Sequence, residues 1–279
     1  MSITLPRYDA TRYVQPLREG GSLPAVVDTD GGGLFVAKFR GAGQGAKVLV
    51  AELLAHGIAT TIGLPVPEMA IIDLPERFGQ SEPDPEIQDL LKASRGINIG
   101  MRYLDGAFNF DPVAAHEVID GPFAALLVWL DAFITNPDRT ARNPNLLVWQ
   151  RKPWLIDHGA ALYMHFDWPS VDAVRVATPF TLIKQHVLLL RAGDLQAADR
   201  AAVTALTDET LRAIVASVPE ELLMDPLTGD DSADVDTARR RYVSYLRSRR
   251  NASPAFVAAA VEARDVLRAS PAQPYTARR

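Results

Sequence analysis

Residues 134–162 read ITNPDRTARNPNLLVWQRKPWLIDHGAAL, and this stretch limits the possible folds of the chain more tightly than any other. An apolar helix end runs into a polar loop. Two short apolar runs follow, Leu146 to Trp149 and Trp154 to Ile156, separated by the turn-like Gln150, Arg151, Lys152 and Pro153. The pattern is a loop, a hairpin, and an aspartate at the hairpin's exit. The loop carries Asn136, Asp138, Arg139 and Asn143, and Asp157 stands fourteen residues beyond Asn143. Phosphoryl transfer needs a carboxylate facing the attacking hydroxyl, and an amide oxygen with a second carboxylate to hold the metal that neutralises the phosphates. Asp138, Asn143 and Asp157 supply those groups in that order. Asn145 is a rival for the amide position; the five-residue step from Asp138 favours Asn143.

A chain of 279 residues with 48% hydrophobic content can bury a core large enough for such a site. Its net charge of −5 argues against a dedicated nucleic-acid binder. With no cysteine there are no disulfides and no thiolate metal sites, which suits a reducing interior. The N-terminus lacks an apolar signal core, and the longest apolar run, Phe123 to Leu130, is too short to span a bilayer. These features place the expected location in the cytoplasm.

Residues 12 to 40 read as an antiparallel sheet. Tyr13 to Gln15 open it, Gly20 and Gly21 break it, Ala25 to Val27 resume it, Asp30 to Gly33 turn it, and Leu34 to Phe39 return. Residues 44 to 62 have helical spacing. Strands are expected at Met69 to Leu74 and Ile97 to Leu104. Between them lies a polar surface insertion, 75 to 96, with a short helix from Pro85 to Ala93. Beyond a linker at Asp105 to Ala107 the chain becomes helical: Pro122 to Ile134 carries a wide apolar face, and helices are expected at 178 to 192, 195 to 217, 232 to 249 and 253 to 268. Thr207, Asp208 and Glu209 start a new segment inside the second of these four. The expected fold class is α+β and bilobal, with a small antiparallel β-rich lobe (1–105) bearing one helix and a larger helical lobe (106–279).

The first lobe holds the partners such a site requires. Lys38 lies on the strand LFVAKF, and Glu52 lies on the following helix. In protein kinases a strand lysine holds the nucleotide phosphates and a helix glutamate positions it. The turn EGGSLP, containing Gly20, Gly21 and Ser22, permits close backbone approach to phosphate oxygens, although it is neither GxGxxG nor a Walker loop.

The segments REGGSLPAVVDTDGGGLFVAKF, AELLAHGIATTIGLPVPEMAIIDL, NIGMRYLDGA, TNPDRTARNPNLL and LIDHGAAL resemble those of the HipA-like kinases, which have a protein-kinase-related fold and share loop features with type II phosphatidylinositol 4-kinases. The resemblance spans roughly residues 12 to 163. It implies Lys38 on the ATP phosphates with Glu52 as its ion-pair partner, Asp138 as catalytic aspartate, and Asn143 and Asp157 as Mg2+ ligands. It also implies that NIGMRY crosses the hinge, with backbone groups of Gly100, Met101 and Arg102 meeting adenine. The implied reaction is ATP- and magnesium-dependent transfer of the γ-phosphate to a hydroxyl acceptor, a Ser or Thr of a protein. The alternatives are a nucleotide-binding pseudokinase scaffold and a small-molecule or lipid kinase.

Three departures from the family pattern bear on function. A typical bacterial HipA toxin carries an additional N-terminal subdomain, whereas about a dozen residues precede the first expected strand here, so assembly with an antitoxin on DNA is not expected. Asn136 stands where activation-loop-regulated kinases have an arginine, so that mode of control is not expected either. In the metal-binding triplet His158 replaces the usual phenylalanine, for which packing or support of the metal aspartate is the expected role. Two further expectations concern single residues: Arg139 steadies the γ-phosphate or the acceptor, and Ser22 is a candidate for self-phosphorylation that ejects the turn. The arginine run at 239 to 250 reads as a solvated helix face.

Overall fold

The computed structural model describes residues 3–17, 23–43, 45–80, 82–113, 116–225 and 234–269. Strands β1 (Arg7–Pro16), β2 (Ala25–Thr29), β3 (Gly33–Lys38), β4 (Met69–Leu74) and β5 (Gly96–Arg102) form a closed barrel in the order β1-β2-β3-β5-β4. All neighbours are antiparallel except β1 and β4, which run parallel from Arg7 opposite Ile71 to Asp73 opposite Asp9. That parallel pair was not expected. It exists because β1 begins five residues before residue 12, in a stretch whose mostly exposed charged and polar side chains hide the strand pattern. Arg7 Nε donates to Asp73 Oδ2 at 3.0 Å across the seam.

The barrel interior packs Val27, Phe35, Ala37, Ala70 and Ile72. Gly100 sits in this wall because a Cβ there would lie 2.6 Å from Ile72 Cγ1. Helix α2 (Pro85–Ala93) starts as expected, with Asp84 Oδ1 accepting the Glu86 N–H at 2.9 Å and proline in its first turn. Yet the segment around it is not merely a surface insertion. Ile87 and Leu91 of α2 are buried against the barrel core.

Helix α1 (Ala46–Thr61) is buried around most of its circumference, as its alanine- and leucine-rich sequence permits. Gly57 lets Ile214 approach, since a Cβ would lie 2.8 Å from Ile214 Cγ2. Helix α3 (Gly121–Phe133) is capped by Asp120, whose Oδ1 accepts the Phe123 N–H at 2.8 Å. Trp129 stacks on Phe133 at 5.0 Å, and both are fully buried. After α3 comes the polar loop. The hairpin β7 (Leu146–Trp149) and β8 (Lys152–Leu155) follows, joined by the two-residue edge strand β6 (Phe108–Asn109), which the sequence did not reveal. Gln150 and Arg151 both have positive φ, 50° and 61°, as a two-residue hairpin turn demands.

The helix expected at 178 to 192 does not form. The short helix α4 (Ala173–Ala177) precedes Pro179, and two 3₁₀ turns, Thr181–Gln185 and Leu189–Arg191, take its place. Between them His186 leaves helical geometry to bridge Thr140 of the polar loop. The 195 to 217 span divides into α5 (Leu195–Ala205) and α6 (Asp208–Ala216), with Thr207 Oγ1 accepting the Thr210 N–H at 3.1 Å. Helix α7 (Glu220–Leu223), α8 (Val235–Asn251) and α9 (Ser253–Ala269) complete the described chain, which is mixed α+β. No helix among the described residues is long and apolar enough to cross a membrane.

Candidate active site

A cleft of about 920 Å³ opens where the barrel, the start of α1, the polar loop and the β7–β8 hairpin meet. Lys38 and Val36 line it from β3, Met101 and Arg102 from β5, Asp138 and Asn143 from the loop, and Asp157 from the hairpin's exit. Gly20, Gly21 and Ser22 lie outside the described residues. The strand ends that lead to them, Leu17 and Pro24, line the cleft and are joined by a bond from Leu17 N to Pro24 O at 2.7 Å. Gly100 faces the barrel interior and does not line the cleft.

Lys38 Nζ donates to Glu52 Oε1 and, at 2.7 Å, to Asp157 Oδ1, so two carboxylates share one proton donor, the second of them 119 residues beyond Lys38. Glu52 is fully buried, while the Asp157 side chain is 48% exposed toward the cleft. Glu52 Oε1 also accepts the His158 N–H at 2.9 Å, which ties α1 to the segment after β8. Burial works to raise the Glu52 carboxyl, but the Lys38 charge and His158 outweigh it and hold the carboxyl below its ordinary value. Burial likewise works to lower the Lys38 ammonium, and Glu52 with Asp157 outweighs that and raises it. Gly159 makes the approach possible: a Cβ there would stand 2.6 Å from Val48 Cγ1 and 3.3 Å from Glu52 Oε1. Asp157 takes φ 55°, a left-handed conformation that aspartate tolerates better than most side chains.

In the loop, Asp138 Oδ2 accepts from Asn143 Nδ2 at 2.8 Å and from Asn145 Nδ2 at 3.3 Å. Asn145 Nδ2 also reaches Asp157 O at 3.3 Å. Asn145 therefore bridges the two aspartates from a buried position, while the more exposed Asn143 bonds to Asp138.

Arg139 does not face the cleft. It is buried, and its Nε donates to Asp131 Oδ2 at 2.6 Å while its Nη1 donates to Pro144 O and Asn145 O. The expectation that it steadies a phosphate is corrected on this ground: a guanidinium committed to a buried carboxylate and two carbonyls has no reach into the cleft. Asp131, from the last turn of α3, collects the loop. It accepts Asn136 Nδ2 at 3.0 Å, and its second oxygen contacts His186 Nε2 at 3.0 Å. Asn136 Oδ1 in turn accepts the Asp138 N–H at 3.1 Å. Burial favours protonation of Asp131, and Arg139 with His186 overrules it and depresses the carboxyl. Burial also holds the His186 imidazole below its usual value despite Asp131. Asp131 was overlooked in the sequence, although an aspartate inside the apolar run FAALLVWLDAFI is itself the signal of a buried, partnered charge.

The HipA-like kinase family model matches residues 11–247. The chain belongs to the HipA-like kinase family. Among solved structures, a proinflammatory kinase of Helicobacter pylori, CtkA, aligns with a TM-score of 0.54 and 11% sequence identity over 95% of this chain and 100% of that one, a likeness of fold. No curated protein matches. Family membership makes the chain a phosphotransferase, a kinase whose acceptor the family name leaves open.

Beyond the residues found from sequence, apolar walls of the kinase cleft come from Val36, Leu147 and Ile156, beside the expected Met101. Past the end of β5, Tyr103 N donates to Leu34 O at 3.1 Å, whereas the Tyr103 carbonyl and the Leu104 N–H have no hydrogen-bond partner among the described residues and border the same cleft.

Proposed function

We propose that the protein transfers the γ-phosphate of ATP, with Mg2+, to a hydroxyl of a protein serine or threonine. The observation that carries this reading is the convergence of Lys38, Glu52 and Asp157 in one ion-paired group beside Asp138 and Asn143. ATP lies between two lobes, 1–105 and 106–279. Its adenine rests between Val36 and Ile156 and meets backbone groups that follow Met101 and Arg102, extending the Gly100 to Arg102 expectation to Tyr103 and Leu104. Its phosphates rest against Lys38, and Gly20, Gly21 and Ser22, named from the sequence, are the further phosphate-binding residues of this reading.

The donor set suits a hard cation. Asn143 uses its amide nitrogen on Asp138, which leaves its oxygen free, and Asp157 uses one oxygen on Lys38 and keeps the other. Among the described residues no group of three or more acidic, histidine or cysteine side chains is placed so that it could hold a metal ion by itself. A magnesium ion that takes two protein oxygens and completes its shell with phosphates and water needs none. When bound, it would neutralise charge on the phosphates. Asp138, held by Asn143 and through its own N–H by Asn136, orients the acceptor hydroxyl. The hydroxyl oxygen bonds to the γ-phosphorus, the bond to the β–γ bridging oxygen breaks, ADP leaves, and the hydroxyl proton passes to Asp138. Lys38 holds the charge of the departing diphosphate.

The test is ADP formation and phosphate incorporation by the purified protein with ATP and magnesium, beside Asp138→Ala and Asp157→Ala. Turnover lost in Asp138→Ala with nucleotide binding kept, and both lost or weakened in Asp157→Ala, is the expected result. Undiminished turnover in Asp138→Ala would remove that residue from the chemistry.

A further inference from the structure

The arginine run on α8 divides in the folded chain. Its last members are consumed by the structure. Arg249 is buried and donates to Ala132 O, Phe133 O, Val176 O and Thr178 O, closing the C-terminal end of α3. Arg250 Nη1 donates to Leu206 O at 2.7 Å, and Arg247 and Arg250 both pair with Asp208.

Arg239 and Arg240 have no such fate. With Arg212 of α6 they line a groove of about 380 Å³ between α6 and α8, which shares no lining residue with the cleft. None of these three forms an ion pair among the described residues. Arg240 donates to Thr237 Oγ1, and Arg239 reaches Val218 O only at 3.5 Å. Arg247 closes one end of the groove, and Asp236 is the single carboxylate in its lining. The Nε–H groups of Arg239 and Arg247 are buried and lack an acceptor among the described residues. Guanidiniums are thus crowded on one face of a chain whose net charge is −5, with two of their Nε–H groups desolvated, and the carboxylates beside Arg212, Arg239 and Arg240 among the described residues are Asp236 in the lining and Asp234, whose charge interacts with Arg240.

We infer that the α6–α8 groove is an anion site for a phosphate monoester, held by Arg212, Arg239 and Arg240 with the Ser244 hydroxyl beside them. Guanidinium forks match a phosphate's oxygens in pairs and are weakly hydrated, so a compact dianion suits this lining better than a carboxylate does. Val215 and Val243 give the groove an apolar floor, which fits the carbon of an ester carrying the phosphate. Such an ester is either a free phosphorylated metabolite or a phosphorylated side chain of a protein. The chemistry recognised is the same.

The experiment is calorimetric titration of the full chain with inorganic phosphate, O-phosphoserine and a short phosphoserine peptide, in the wild type, Arg212→Ala/Arg240→Ala and Arg241→Ala. Arg212 and Arg240 are exposed, so their removal leaves the packing intact, and a thermal melt checks this. Arg241 lies over Trp168 outside the groove and serves as the control. Saturable binding that weakens by at least about tenfold in the double variant and is unchanged in Arg241→Ala supports the site. If the double variant melts early, the single Arg240→Glu variant must show the same loss. Tighter binding of the peptide than of O-phosphoserine assigns the source to a protein side chain, and equal or weaker binding assigns it to a free metabolite. No saturable binding by the wild type, equal affinity in the double variant, or binding of a short DNA duplex with none of the monoesters would overturn the assignment.

Discussion

Two buried carboxylates, Glu52 and Asp131, organise the two sides of the cleft in different ways. Asp131 has partners on both oxygens: Arg139 and His186 at one, Asn136 at the other. Glu52 concentrates its bonds on Oε1, where Lys38 and the His158 N–H meet, while Oε2 has no hydrogen-bond partner among the described residues and its neighbour His158 Nδ1 is 3.7 Å away. The first arrangement is closed. The second keeps its cation, Lys38, on the edge of the cleft and shared with half-exposed Asp157. A buried charge with every bond made serves as an anchor. One whose cation is shared with the cleft is suited to respond to what the cleft holds.

The largest effect that could break this contrast is the loss of Asp131. Asp131→Ala leaves Arg139 charged, buried and without its carboxylate, and is expected to cost about 3–5 kcal/mol of stability in urea unfolding. A cost under about 1 kcal/mol would mean that the loop is held by its backbone bonds instead. Glu52→Gln sharpens the contrast from the other side. Lys38 keeps Asp157, so the stability cost is expected to be smaller, about 1–3 kcal/mol, while phosphate transfer falls steeply because Lys38 is no longer placed. Equal stability losses in the two variants would erase the distinction between anchor and responsive pair.

Acid titration of unfolding gives the smallest effect, and its sign follows from the shifts. Both carboxyls lie below their unfolded values, 4.5 for Glu52 and 3.8 for Asp131, so the unfolded chain binds more protons as pH falls through that range. The stability they contribute is complete above the unfolded values and is lost on further acidification, by at most about 1.4 kcal/mol per pH unit for each group. Below pH 4.5 Glu52→Gln is therefore expected to show a shallower decline than wild type. An unchanged slope would mean that Glu52 is not ionised in the folded chain.

Much of the site was legible because local signals coincide with it. Asp138, Asn143 and Asp157 sit in a polar loop and at a hairpin exit, where spacing alone suggests their use, and they do converge on one cleft. Lys38 and Glu52 became legible through the strand and the helix that carry them. Arg139 was misread. A loop arginine beside Asp138 can face either solvent or core, and its direction here is set by a carboxylate on α3 and by a histidine from 47 residues further on, whose chain pairs with its own: Val187 N donates to Arg139 O at 3.1 Å. The 178 to 192 segment was misread for the same cause. Its leucines and isoleucine promise a helix, but Pro179 and the demand for His186 at Asp131 break the segment into 3₁₀ turns. The barrel's parallel seam escaped notice because β1 buries almost none of its side chains.

The sequence by itself determined the order of the longer strands and helices apart from the 178 to 192 segment, the family, and the loop and hairpin that carry Asp138, Asn143 and Asp157, since periodicity and turn chemistry are properties of adjacent residues. Only the tertiary structure decided what each charge is for. Arg139 and Arg249 became internal struts, Lys38 became a bridge between two carboxylates, and Arg239 and Arg240 were left facing a groove. The physical reason is that the role of a charge depends on its desolvation and on the partner that meets it, and the partners come from segments as much as 119 residues away.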